Sequence, residues 1–152
     1  MPTRRGKARA ERGKQTDITG HRLRHAVRRA DLPAVAETRR LLRDHLRRWG
    51  APALADTAEL LTSELVTNAL QHTPGGAVLT ATYSPGTDPR LRVEVHDSLA
   101  RRPRLRTADI GGGDYATSGR GLMLVQALAD AWGVRAGESG KVIWFELMGE
   151  VG

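Results

Sequence analysis

The sequence contains no cysteine, which excludes disulfides and every metal site built on thiolates. Its five histidines are scattered, and His21 and His25 lack the surrounding carboxylates that would make them zinc ligands. Any metal is therefore expected to be a hard cation on oxygen ligands. No apolar run reaches the roughly 18 residues that span a bilayer, and the opening "MPTRRGKARAERGKQTDITG" has no apolar stretch after its charges, so neither a membrane span nor a secretory signal is expected. These absences point to the cytoplasm. Internal repeats are missing too, and 152 residues suit one domain plus a tail.

What is present is positive charge, +7 over the chain, and its placement matters. Residues 1–30 hold ten Lys and Arg against Glu11 and Asp17, which leaves 14 basic and 15 acidic residues for 31–152. The bulk of the chain is nearly neutral. The basic segment lacks aromatics and cannot bury enough surface to fold alone, so residues 1–20 are read as a disordered basic leader and 21–152 as the domain. Such a tail can meet nucleic acid or another polyanion, but a solvated, silent extension accounts for the composition better. Nucleic-acid contact is expected at most weakly, through residues 1–30.

"HRLRHAVRRA" alternates imperfectly and reads as a first strand. Asp31 can cap a helix with Pro33 in its first turn, and Val35, Thr38, Leu41, Leu42, His45, Leu46 and Trp49 recur at helical spacing before Gly50. Its arginines alternate with Glu37 and Asp44 and read as solvated surface. A second helix runs from about Ala53 to His72 on a stripe of Leu54, Ala58, Leu61, Leu65 and Ala69. "AVLTATYS" and "RLRVEVHD" follow as strands joined by "PGTDP". Ser98 to Ser118 shows no periodicity, and a loop of that length is usually functional or disordered. "GRGLMLVQALADAWG" reads as a helix with Leu122, Val125, Leu128, Ala129 and Trp132 on one face, stopped by Gly133. A final hairpin closes with "VIWFELM". The order predicts an α+β, two-layer α/β sandwich, its mixed, mainly antiparallel sheet covered on one face by helices.

Three polar clusters lie at element ends. In "TSELVTNALQHTPGG", Glu64 and Asn68 are four apart and share a helix face, about 6 Å apart in rise. A carboxylate and an amide so placed can aim oxygens at one Mg²⁺ that keeps several waters. The alternative is a solvent-facing Glu64 and an ordinary Asn68. Asn is a poor helix-interior residue and both flank Leu61 and Leu65, which favours the functional reading. Thr67 and His72 are read as structural. Asp97 ends the alternating strand of Leu91, Val93 and Val95; it can accept a hydrogen bond from a base or start a turn, and spacing alone favours the turn. Gly119, Arg120 and Gly121 open a helix after a glycine-rich loop, where free N–H groups and glycine suit a phosphate. "GESGKV", Gly137 to Val142, superficially looks like a phosphate loop, but Val142 replaces Ser or Thr and a strand follows. A hairpin turn explains it.

Taken in order, E64-x-x-x-N68, D97-x-S-x-x-x-P103 and G119-R-G-L122 resemble the Bergerat-type ATP-binding domain shared by gyrase, a heat-shock chaperone, histidine kinases and mismatch-repair proteins, the GHKL group. "SELVTNALQH", "DSLARRP", "SGRGLMLVQALADAWGV" and "GKVIWFEL" look most like the small bacterial anti-sigma-factor serine/threonine kinases and their ATP-binding relatives. The resemblance covers about residues 31–148. It implies ATP and Mg²⁺ as ligands, with Asn68 holding the metal and Glu64 polarising the attacking hydroxyl or water. It also implies that Asp97 bonds the adenine amino group, in place of the turn reading. Gly119, Arg120, Gly121 and Leu122 would then cradle the phosphates beneath a lid from Arg104 to Ser118, with His72 and Thr73 near the pocket.

Histidine kinases carry Asp-x-Gly-x-Gly around the adenine-binding aspartate, whereas Ser98 and Pro103 follow Asp97 here without glycine. No helical phosphoacceptor segment fits before residue 31, so the acceptor is expected on another protein. The resemblance implies an ATP/Mg²⁺-dependent protein serine/threonine kinase in a partner-switching circuit that regulates transcription. Its partners would be an anti-anti-sigma protein of the STAS type, a sigma factor, or both. The alternative is a non-catalytic ATP-binding switch that sequesters a partner. Pairing of two copies is left open.

Overall fold

The computed structural model describes residues 16–19, 21–28, 32–72, 75–97, 120–136 and 140–149. In chain order these form β1 (Thr16–Thr19), β2 (Arg22–Val27), α1 (Leu32–Arg48), a 3-10 turn (Pro52–Leu54), α2 (Ala55–His72), β3 (Ala77–Ser84), β4 (Arg90–Asp97), α3 (Arg120–Leu128), β5 (Ala131–Ala136) and β6 (Lys141–Met148). α1 ends with Ala51 N–H donating to the Leu46 carbonyl at 2.8 Å and Gly50 N–H to that of Arg47 at 3.1 Å, bonds that satisfy otherwise orphaned carbonyls.

The six strands lie in the order β1-β2-β3-β4-β6-β5, and every neighbouring pair is antiparallel. The sheet, expected to be mixed and mainly antiparallel, is antiparallel at every pair among the described strands. Connectivity explains this: α1 and α2 carry the chain down and back up, so it leaves β2 and re-enters β3 at the same end. Strand alternation decides the layers. Leu23, Leu79, Ala81, Leu91, Val93, Val95, Phe145 and Leu147 are buried on the face that meets Leu42, Leu46, Ala58, Leu61, Leu65, Leu122 and Val125 of the helices. Each large side chain so buried stabilises the fold by about 1.5–3 kcal/mol.

Ion pairs and an aromatic ring line the opposite face. Arg92 lies over the Trp144 ring at 4.0 Å and donates to Glu94 and Glu146, each at 2.9 Å. Arg135 and His96 also reach Glu94, at 3.3 and 3.1 Å. Burial alone would raise the Glu94 pKa, but the Arg92 hydrogen bond and the charges of Arg92, Arg135 and His96 outweigh it and hold the carboxyl below its ordinary value.

Two expectations are corrected. Thr16–Thr19, placed in the disordered leader, forms a strand paired with β2 from Thr16 opposite His25 to Thr19 opposite Arg22. Two threonines and an isoleucine favour a strand locally, a signal that the leader's mean composition hides; residues 1–15 lie outside the described residues. The last helix also stops at Leu128, so Trp132 belongs to β5. Asp130 diverts the chain into the sheet: its N–H donates to the Glu146 carbonyl at 2.9 Å and its Oδ2 accepts Met148 N–H at 2.7 Å. Gly133 then runs beneath Trp144, where a Cβ would come within 2.8 Å of the ring. Its glycine serves that close approach instead of a helix stop.

Candidate functional site

The register brings three element ends to one end of the sheet. Ala77, which opens β3, lies opposite Asp97 at the close of β4, and α2 ends at His72, only a short link before Ala77. The C-terminal turns of α2 therefore stand beside the end of β4. Leu128 closes α3 just before Ala131, which pairs with Glu146 towards the far end of β6. Nine residues of helix, about 13 Å long, thus start nearer the Asp97 end and run towards the far one. Leu122 in its first turn is buried in the core with Val125, which fixes the helix against α2 and the sheet.

Glu64 and Asn68 sit one turn apart on α2 and both are half-buried. Neighbouring Leu61, Leu65 and Val66 are fully buried, so the polar pair lies at the margin of the core stripe, as its spacing predicted. Arg120 and Gly121 open α3. Gly119, Thr73 and the expected lid from Arg104 to Ser118 lie outside the described residues. Among the described residues no three His, Cys, Asp or Glu gather into a metal-binding group. Hard oxygen donors for a cation are present on α2 as Glu64 and Asn68.

Asp97 is more deeply buried than Glu64 or Asn68. Its side chain is only 4% exposed, and a buried carboxylate needs compensating partners. Lys141 supplies two. Its backbone N–H donates to Asp97 Oδ1 at 3.2 Å and its Nζ lies 3.7 Å from Oδ2. Gly140 makes room for this, since a Cβ there would fall inside contact distance of the Asp97 carbonyl oxygen and Oδ1. Gly140 and Lys141 both lie in "GESGKV", read from sequence as a hairpin turn. The signal that would have found them is the pairing of β4 with β6, His96 opposite Val142, which places Lys141 beside Asp97 across 44 positions of sequence.

A family model described as a histidine kinase-like ATPase domain matches residues 29–147. Among solved structures, the chain is similar to the histidine kinase domain from Erythrobacter litoralis EL346 blue-light activated histidine kinase. That similarity has 22% identity and a TM-score of 0.45, over 89% of this chain and 68% of that one. No curated protein matches the chain. The family match runs from before α1 to within β6 and takes in every described residue of the site, so the chain belongs to the histidine kinase-like ATPase domains, the GHKL type.

Proposed function

We propose that this chain binds ATP with Mg²⁺ and transfers the γ-phosphoryl group to a serine or threonine of a small anti-anti-sigma partner of the STAS type. In that circuit it also holds a sigma factor inactive. The observation that carries the reading is Asp97: a nearly fully buried carboxylate, in a family of ATPase domains, at the end of the sheet where α2 ends and α3 begins. An ionised carboxylate has about four acceptor positions. Lys141 uses some of them, and the 6-amino group of adenine would take another.

The remaining roles follow from donor chemistry. Asn68 and Glu64 offer the oxygens a hard cation prefers, and Asn68 would hold Mg²⁺, which when bound offsets charge on the phosphate oxygens. Gly119, Arg120, Gly121 and Leu122 would present the free N–H groups of a helix start to the phosphates. Glu64 would orient the acceptor hydroxyl and take its proton as the new oxygen–phosphorus bond forms and the bond to the ADP leaving oxygen breaks.

The test is titration calorimetry of ATP with Mg²⁺, followed by transfer of labelled γ-phosphate to a STAS-type partner. Glu64→Ala should bind ATP as the unaltered chain does and lose roughly 10²–10⁴-fold in transfer rate. Transfer at an unchanged rate would overturn the base assignment. Binding without transfer to any partner would favour the sequestering switch, and no binding at all would end both readings.

A further inference from the structure

The contacts of Lys141 carry an inference that deepens the nucleotide reading and rests on it. Asp97 could meet an incoming base in several orientations if its carboxylate turned freely about χ2, a broad torsion. Here both oxygens are tied to one residue, Oδ1 to the Lys141 N–H and Oδ2 to its ammonium. The two contacts come from opposite ends of Lys141, its backbone and its side-chain tip, so together they define the plane of the carboxylate. Antiparallel pairing of β4 with β6 holds the backbone contact, and Gly140 lets the strand come close enough to make it.

We propose that Lys141 is a positioning residue for base recognition: its N–H and its ammonium hold the Asp97 carboxylate in the orientation that accepts the 6-amino group of a purine. Lys141 meets Asp97 and would act on the base only through it. Its side chain remains one-third exposed, so the ammonium stays hydrated while it acts. The contribution should therefore be modest, and specific to ligands carrying the amino group that Asp97 accepts.

The experiment compares Mg²⁺-ATP with the Mg²⁺ complex of purine riboside triphosphate, which lacks only the 6-amino group, by calorimetry on the full chain. Lys141→Met should weaken ATP about three- to fivefold and leave purine riboside triphosphate unchanged, and Lys141→Arg should restore ATP affinity. Unchanged ATP affinity in Lys141→Met overturns the proposal. So does an equal loss for both ligands, which a merely structural lysine would give. An unaltered chain that binds neither ligand, or both equally, refutes the assignment of Asp97 to adenine, and the proposal falls with it. An unaltered chain that prefers ATP, paired with an indifferent Lys141→Met, refutes the positioning role alone.

Discussion

Asp97 gathers the constraints of the site into one side chain. It is a carboxylate taken out of water, and Lys141 offsets part of that cost by meeting both oxygens. Asp97→Asn would replace one acceptor oxygen by a donor amide facing either the Lys141 N–H or the adenine amino group of the proposed ligand. ATP affinity should drop by roughly 10- to 100-fold, measured by calorimetry, with a smaller effect on the melting midpoint. Gly140→Ala acts on the same spot by crowding. A methyl has no space beside the Asp97 carbonyl and Oδ1, so the variant should lose about 1–3 kcal/mol in denaturant unfolding and bind ATP more weakly. At this scale Glu64 and Asn68 stood out in the sequence as polar residues beside an apolar stripe, whereas spacing alone read Asp97 as the start of a turn and only the family resemblance pointed to a base. Lys141 did not stand out, because its role exists only through a partner far away in sequence.

At the scale of elements, period and burial agree where one face of an element is covered. β3 and β4 alternate buried and half-buried positions along nearly their whole length, matching the strands expected from "AVLTATYS" and "RLRVEVHD". α3 shows where periodicity misleads. Leu128 fits the helical pattern but is 45% exposed, and Trp132, four residues on, lies in β5 opposite Phe145. Leu65→Ala on α2, at a fully buried position, should cost about 2–5 kcal/mol. Leu128→Ala should stay within about 0.5 kcal/mol. Parallel denaturant melts compare the two, and an equal cost would contradict the end of α3 at Leu128.

For the whole molecule, acid stability offers a test of both faces of the sheet. His25 is buried on the core face, and burial lowers its pKa, partly opposed by the charge of Glu37. The unfolded chain then binds more protons than the folded one below the ordinary histidine value of 6.5. The stability tied to neutral His25 is complete above that pH and is lost as pH falls towards the lowered folded value. Glu94 on the other face follows the same sign in a lower window. Its contribution is present above the ordinary value of 4.5 and is lost as pH falls through the lowered folded value. Unfolding free energy should therefore decline in two steps on acidification, and His25→Gln should flatten the first one alone in pH-dependent denaturant titrations. Among the described residues no helix is long and apolar enough to cross a membrane.

Composition and periodicity in the chain were enough to specify two long helices, the β3–β4 pair and the polar residues that stand out from their apolar surroundings, since each of these depends on neighbours a few positions apart. Tertiary structure alone decided the sheet order, the pairing of Thr16–Thr19 with β2, the diversion of the chain at Asp130 and the meeting of Lys141 with Asp97. Each of those depends on backbone pairing between distant strands or on a surface that only the assembled sheet presents, and no local pattern of residues encodes such a partner.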